Sequence, residues 1–262
     1  MNNLLHACGV ELLKARRSKV PLFTALGFSL APLAGGFFMI VLKDPVMARD
    51  MGLISTKAQI FGGTADWPAY FGMLAQAAAV GGMVLFSFVA SWVFGREFSD
   101  RTIKDLLALP TPRRSIVLAK FVVVALWALF LTLIVIILGL GIGALVGLPG
   151  AGSGVFLQGI LRITACAGLT LITVTPVAFF AGVGRGYLAP TGMAILLLVC
   201  AQLVGATGWG EYFPWSIAAL YSGAAGPASA QLSLVSLAIV LITGILGLVA
   251  TIRWWERADQ TR

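Results

Sequence analysis

Charge in this chain comes in clumps, separated by runs that carry none: Val20–Leu42, Pro68–Gly95, Phe121–Leu161, Ile163–Gly184, Gly186–Gly210 and Tyr212–Ile252. A helix needs about 20 apolar residues to cross the roughly 30 Å hydrocarbon core of a bilayer. Every run is long enough, and two are too long for a single crossing. Leu148-Pro149-Gly150 breaks the third and Gly226-Pro227 interrupts the last. The pattern predicts six membrane spans, near 20–42, 71–94, 117–146, 161–183, 187–207 and 231–252. A soluble domain is about 25% charged. This chain is 11% charged and 59% hydrophobic, too little charge to cover a water-facing surface. The first span is too long for the apolar region of a signal peptide, and no small-residue cleavage site closes it, so it reads as a retained span.

Six spans put both termini on one side. The N-terminus, the 95–120 loop, the 184–186 turn and the C-terminus together hold fourteen of the 18 lysines and arginines. Basic residues favour the cytoplasmic side, so both ends are expected there, in a multi-pass protein of the cell membrane. The net charge of +8 follows from this bias and calls for no nucleic acid. Trp67, Tyr70, Trp209, Tyr212, Phe213, Trp215, Trp254 and Trp255 fall near span ends, and the expectation is that they anchor at the headgroup level. Cys8, Cys166 and Cys200 have no metal or redox spacing, and His6 is the single histidine. No phosphate-binding loop, zinc-protease motif or nucleophile elbow occurs.

Two stretches outside the spans carry a pattern. Leu4, Leu5, Cys8, Leu12 and Leu13 recur near helical spacing, with Glu11, Lys14, Arg16 and Arg17 on other faces. Such a basic amphipathic segment lies in the membrane interface, as an anchor or as a contact surface. The segment 43–69 reads as a linker with at most a small helix. In 208–230, the apolar Pro214–Ser222 is too short to cross, which suits a re-entrant or interfacial hairpin.

Most of the polar information is in the 95–120 loop. Thr102 with Asp105 three residues on has the form of a capping box, starting a helix of about two turns near Ile103. Pro110 and Pro112 end it. Ile103, Leu106, Leu107 and Leu109 give it an apolar stripe, and Ser115 offers an N-cap to the third span. The stripe either rests on the membrane face or fits a socket on another protein.

This loop resembles the first cytoplasmic loop of ABC-2-type transporter permeases, in the branch that includes bacitracin and lantibiotic self-protection permeases. The resemblance lies in Glu97, Thr102, Leu106, Leu107, Pro110, Arg113, Arg114 and Lys120. Many members have Gly before the Thr, where this chain has Arg101. Glu11-Leu-Leu-Lys-Ala-Arg-Arg17 is similar to the family's elbow helix before the membrane. The resemblance implies one transmembrane domain over 1–262: an all-α bundle of six spans with an elbow helix at 1–19 and a coupling loop at 95–120. It implies that the loop helix docks on a cytoplasmic nucleotide-binding ATPase subunit. ATP and magnesium would be held there, with no cofactor in this chain. It also implies a second permease subunit, in a homo- or heterodimer, and export of an amphiphilic or peptide-like cargo.

Within this scheme Glu97, Thr102, Ile103, Leu106, Leu107, Pro110, Arg113 and Arg114 are the coupling candidates, and Glu11, Lys14, Arg16 and Arg17 those of the elbow. Glu97 either braces the loop, against Arg101, Arg113 or the elbow helix, or is a solvated charge. Arg162 is a pathway group or a side chain reaching back to the interface. Gln76, Gln158 and Gln202 line a pathway or bond between helices. The small-residue patches Ala75–Gly82 and Gly139–Gly147 predict close helix contacts. A self-powered transporter would need acids within its spans, and a membrane enzyme clustered His, Asp or Glu. The sequence supplies neither, and a non-transport scaffold or immunity protein stays open as an alternative.

Overall fold

The computed structural model describes residues 2–44, 64–108, 110–223 and 232–257. The described chain is all α, with no strand. In lipid each backbone N–H and C=O must find its partner within the protein, and helices do this segment by segment. Helix α1 (Asn2–Arg17) precedes α2 (Val20–Lys43). The second span is α3 (Trp67–Gln76), a π-helical turn at Ala77–Gly81, and α4 (Gly82–Ser99). Then come the short α5 (Ile103–Leu107), α6 (Arg113–Val146), α7 (Ser153–Val183), α8 (Leu188–Ala206), α9 (Pro214–Tyr221) and α10 (Leu234–Arg257). Six of these helical rods are long and apolar enough to cross a membrane, at the six predicted places. The linker expected over 43–69 falls largely outside the described residues, as do Leu109, the side chain of Leu107 and residues 224–230.

The second span and α7 form the centre of the bundle. The π turn loosens the second span in its middle, where Thr170 Oγ1 of α7 donates to the Ala79 carbonyl at 3.4 Å. α2 packs on α6, α7 on α10, α8 closes against α4 and α7, and α9 against α7 and α8. Glycines set the approach distances, as expected from the small-residue patches. Gly139 and Gly143 of α6 receive Leu74 and Trp67, whose atoms would lie 2.5 Å from an added Cβ at each. α9 is wedged in by Trp215, whose Nε1 donates to the Thr173 carbonyl at 2.9 Å, and by Cys166 Sγ, 3.6 Å from the Ala218 carbonyl.

The aromatic residues divide, and the anchoring expectation fails for three of them. Trp67, Tyr70 and Trp255 are buried in the protein core. The helix containing Trp67 and Tyr70 starts earlier than expected and runs under α2, where Tyr70 Oη donates to the Pro32 carbonyl at 3.0 Å. Trp209 and Tyr212 stay exposed.

The candidate coupling end of the bundle

The described loop and elbow residues meet at one end of the bundle, where α1 packs chiefly on α6 and hardly on α2, its neighbour in sequence. This side-on packing turns Glu11 and Lys14 towards the start of the third span. α6 begins at Arg113, immediately after Pro112, with no side-chain cap. Ser115 is therefore not the N-cap: Pro112 supplies the acceptor instead, its carbonyl taking the Ser115 and Ile116 N–H groups. The earlier start carries Lys120 two turns into the helix, where it is fully buried.

Lys120 is the centre of a four-charge lattice. Its Nζ donates to Glu11 Oε2 and to the Val93 carbonyl, both at 2.9 Å, and stands 2.9 Å from Glu97 Oε1. Lys14 Nζ donates to Glu11 Oε1 at 2.6 Å and to the same Glu97 oxygen at 2.9 Å. Glu11 and Glu97 are 5% and 2% exposed. Two acids and two bases alternate, so the group is neutral; the Lys120 ammonium has acceptors in two other elements, and that of Lys14 has one in its own helix and one in α4. Burial alone would lower the Lys14 pKa; Glu97 and Glu11 outweigh it and hold the ammonium above its ordinary value. Burial, with Glu11 adding to it, pushes the Cys8 thiol up.

Of the three partners open to Glu97, the structure selects the elbow helix, and adds Lys120. It is not a solvated charge. Arg113 turns the other way: its Nη1 lies 3.3 Å from the Trp255 and Glu256 carbonyls, at the end of α10. A cation there meets the negative end of the last span's dipole. Arg96 lies over Trp92, 4.7 Å from the ring centroid, and Trp92 packs edge-on against Trp127. The sequence marked Lys120 as part of a pattern without a role. Its signal is a lone charge in the otherwise uncharged stretch 116–146.

The loop helix differs from expectation in three respects. It is one and a half turns, Ile103–Leu107. Thr102 makes no side-chain capping bond; its N–H instead donates to the Glu97 carbonyl at 2.9 Å, which ties the helix start to the lattice. Third, the described part of the apolar stripe points inward: Ile103 is 9% exposed and belongs to the chain's own core, with Leu106 packed against that core. The outer face is formed by Arg101, Thr102, Lys104, Asp105, Ala108 and Pro110, and Arg114 is exposed beside it. Arg101 has φ +58°, the left-handed conformation that ends α4. That conformation favours glycine, the residue common at this place in the resembled permeases.

The pathway candidates lie elsewhere. α7 starts at Ser153, so Arg162 is nine residues into its helix, about 13 Å from its start at 1.5 Å per residue. It lines a small cavity of about 100 Å³ with Gln158, Phe71 and Gly72. Gln76, at the π turn, and Gln202 of α8 come together with Ser216 of α9 in a cavity of about 270 Å³. Both amides are exposed, and among the described residues neither makes the interhelical hydrogen bond that was one of their two readings. Arg16 and Arg17 are exposed on the elbow.

Comparison with known proteins agrees with the resemblance. The profile of a family described as ABC-2 family transporter protein matches residues 8–201. The bacitracin transport permease protein BCRB of Bacillus licheniformis is 29% identical over 180 residues, which cover 68% of this chain and 85% of that protein. The matched stretch contains every member of the charge lattice and stops short of α9 and α10.

Proposed function

The chain belongs to the ABC-2 family of transporter proteins, and from that premise we propose that it is the permease half of an exporter driven by a separate nucleotide-binding ATPase. Both termini and the 95–120 loop face the cytoplasm, as the distribution of basic residues supports. ATP and magnesium belong to the partner, and this chain converts the partner's motion into movement of its spans.

The observation that carries this reading is the buried lattice of Glu11, Lys14, Glu97 and Lys120. It joins the elbow helix, the end of the second span and the start of the third at the base of the loop. Each charge of the set has an opposite charge within 2.9 Å, with only Glu97 Oε2 left without a hydrogen bond among the described residues, and in a low local dielectric such pairing is stiff, because sliding any member would strand a buried charge. A push on the loop helix thus moves α1, α4 and α6 as one. The docking face is the exposed polar side, Thr102, Lys104, Asp105 and Pro110, oriented by charge. Ile103 and Leu106 root the helix in the permease itself.

A second permease subunit covers the face bearing Gln76 and Gln202. Two unpartnered amides at membrane depth are costly against lipid, whereas a subunit interface or a pathway satisfies them. α8, which carries Gln202, is the least buried of the six spans. The cargo is amphiphilic or peptide-like, a reading supported by the bacitracin relative and by a pathway face mixing amides with apolar side chains.

The test is co-expression with the cognate ATPase, followed by pull-down and cargo-stimulated ATP hydrolysis in proteoliposomes. Lys104→Glu/Asp105→Arg is expected to abolish co-purification while the permease remains folded. Glu97→Gln is expected to leave binding in place and uncouple hydrolysis from cargo. Full coupling in both variants would refute the assignment.

A further inference from the structure

Beneath the elbow helix a groove of about 410 Å³ opens between α1, α2 and α6. Its walls are Leu12 and Ala15 of α1, Pro21 of α2, and Val123, Leu126, Trp127 and Phe130 of α6. The α6 residues from Val123 to Phe130 run about 10 Å along the helix axis, down from the level of α1. Arg16 of α1 is the one charged residue along the otherwise apolar groove. Arg16 makes no ion pair among the described residues, in contrast to Lys14 two positions earlier, which turns inward to the lattice. Leu12, Leu126 and Phe130 are exposed, so the groove faces away from the bundle.

An apolar slot parallel to a span, headed by a free guanidinium at the membrane interface, has the layout of a phospholipid with its acyl chain down and its phosphate up. We propose that this groove is a binding site for one phospholipid with an anionic headgroup, taken from the leaflet in which α1 lies. The acyl chain fills the space beside Trp127, and Arg16 pairs with the headgroup. The apolar walls supply affinity common to all phospholipids, and Arg16 supplies the preference for a net negative headgroup. The exposed Arg17 and Lys19 nearby strengthen the local positive field. This site is separate from the proposed pathway face and does not depend on the transport reading.

The test is native mass spectrometry of the full chain in detergent, incubated with equimolar 1-palmitoyl-2-oleoyl phosphatidylglycerol and phosphatidylcholine. The expected result is retention of one phosphatidylglycerol, favoured about fivefold over phosphatidylcholine. Arg16→Gln should remove that preference and leave phosphatidylcholine retention unchanged. Leu126→Trp, at an exposed position, should fill the slot and lower retention of both lipids. Arg257→Gln, a cation away from the groove, should change nothing. Equal retention of the two lipids by the wild type would overturn the proposal. So would an unaltered preference in Arg16→Gln, or displacement of the lipid by a second copy of the chain.

Discussion

Lys120 Nζ stands 2.9 Å from Glu97 Oε1, the carboxylate at the base of the loop and the fully buried ammonium in the third span. Besides this ion pair, the lysine donates hydrogen bonds to Glu11 and to the Val93 carbonyl. Breaking a buried, paired set by deleting one partner costs about 3–5 kcal/mol, because the surviving charges lose their compensation. Lys120→Met is therefore expected to destabilise the protein by roughly that amount, since it leaves two buried carboxylates sharing one half-exposed lysine. Lys14→Met should cost clearly less, because Lys14 is partly open to solvent. Thermal unfolding in detergent, followed by size-exclusion chromatography, ranks the two. Equal losses would mean the lattice has no centre.

Lys14 also sets a pH dependence. Its folded pKa lies above the ordinary lysine value of 10.5, with burial opposing and Glu97 and Glu11 prevailing. A raised basic group contributes stability that is complete below its unfolded pKa and is lost as pH climbs through the folded value. The Lys14 contribution is thus expected to be constant from neutral pH to about 10.5 and to decline above it. Lys14→Gln should flatten that alkaline decline in a melting-temperature series. A slope between pH 6 and 9 that vanishes in Lys14→Gln would contradict this assignment.

Arg101 holds φ +58° where α4 turns into the loop. The left-handed region costs an L-residue about 1 kcal/mol relative to glycine, part of which glycine's freedom in the unfolded chain takes back. Arg101→Gly is expected to be neutral to stabilising by about 0.5 kcal/mol, and Arg101→Val clearly destabilising. Melting temperatures of the three proteins check the order.

Two glycines should respond to alanine with opposite signs. A Cβ at Gly95 would lie 2.6 Å from the Gly186 carbonyl carbon and oxygen, which are backbone atoms and cannot rotate away. Gly95→Ala is expected to cost about 1–3 kcal/mol by prising α4 from the 184–186 turn. Gly9, inside α1, has nothing within 4 Å of its added Cβ, so Gly9→Ala is expected to stabilise the elbow by about 0.5–1 kcal/mol. A shared sign would show that packing at Gly95 does not decide its identity.

The loop shows where residue patterns ran out. Its helix, its proline stop and its place between the second and third spans were legible from residue order. The direction of its stripe was not: Ile103 and Leu106 recur on one face whether that face meets a partner or the chain's own core, and hydrophobic spacing is identical in the two cases. Thr102 and Asp105 have the spacing of a capping box, but the chain leaves α4 through the left-handed Arg101, and this geometry gives Thr102 a backbone bond to Glu97 instead.

From residue order alone came the solvent, the number of spans and the crowding of basic charge at one end, because a charge facing hydrocarbon is costly, so charges are rare within the crossing helices. Order alone could not say which side of each span faces protein, since lipid tails are as apolar as a core and erase the amphipathic stripe. Tertiary structure decided that Trp67 and Tyr70 are core while Trp209 is surface, and it joined Glu11 to Lys120 across 109 positions of chain. That pairing depends on α1 lying across α6, an arrangement built by contact between helices and invisible in either helix by itself.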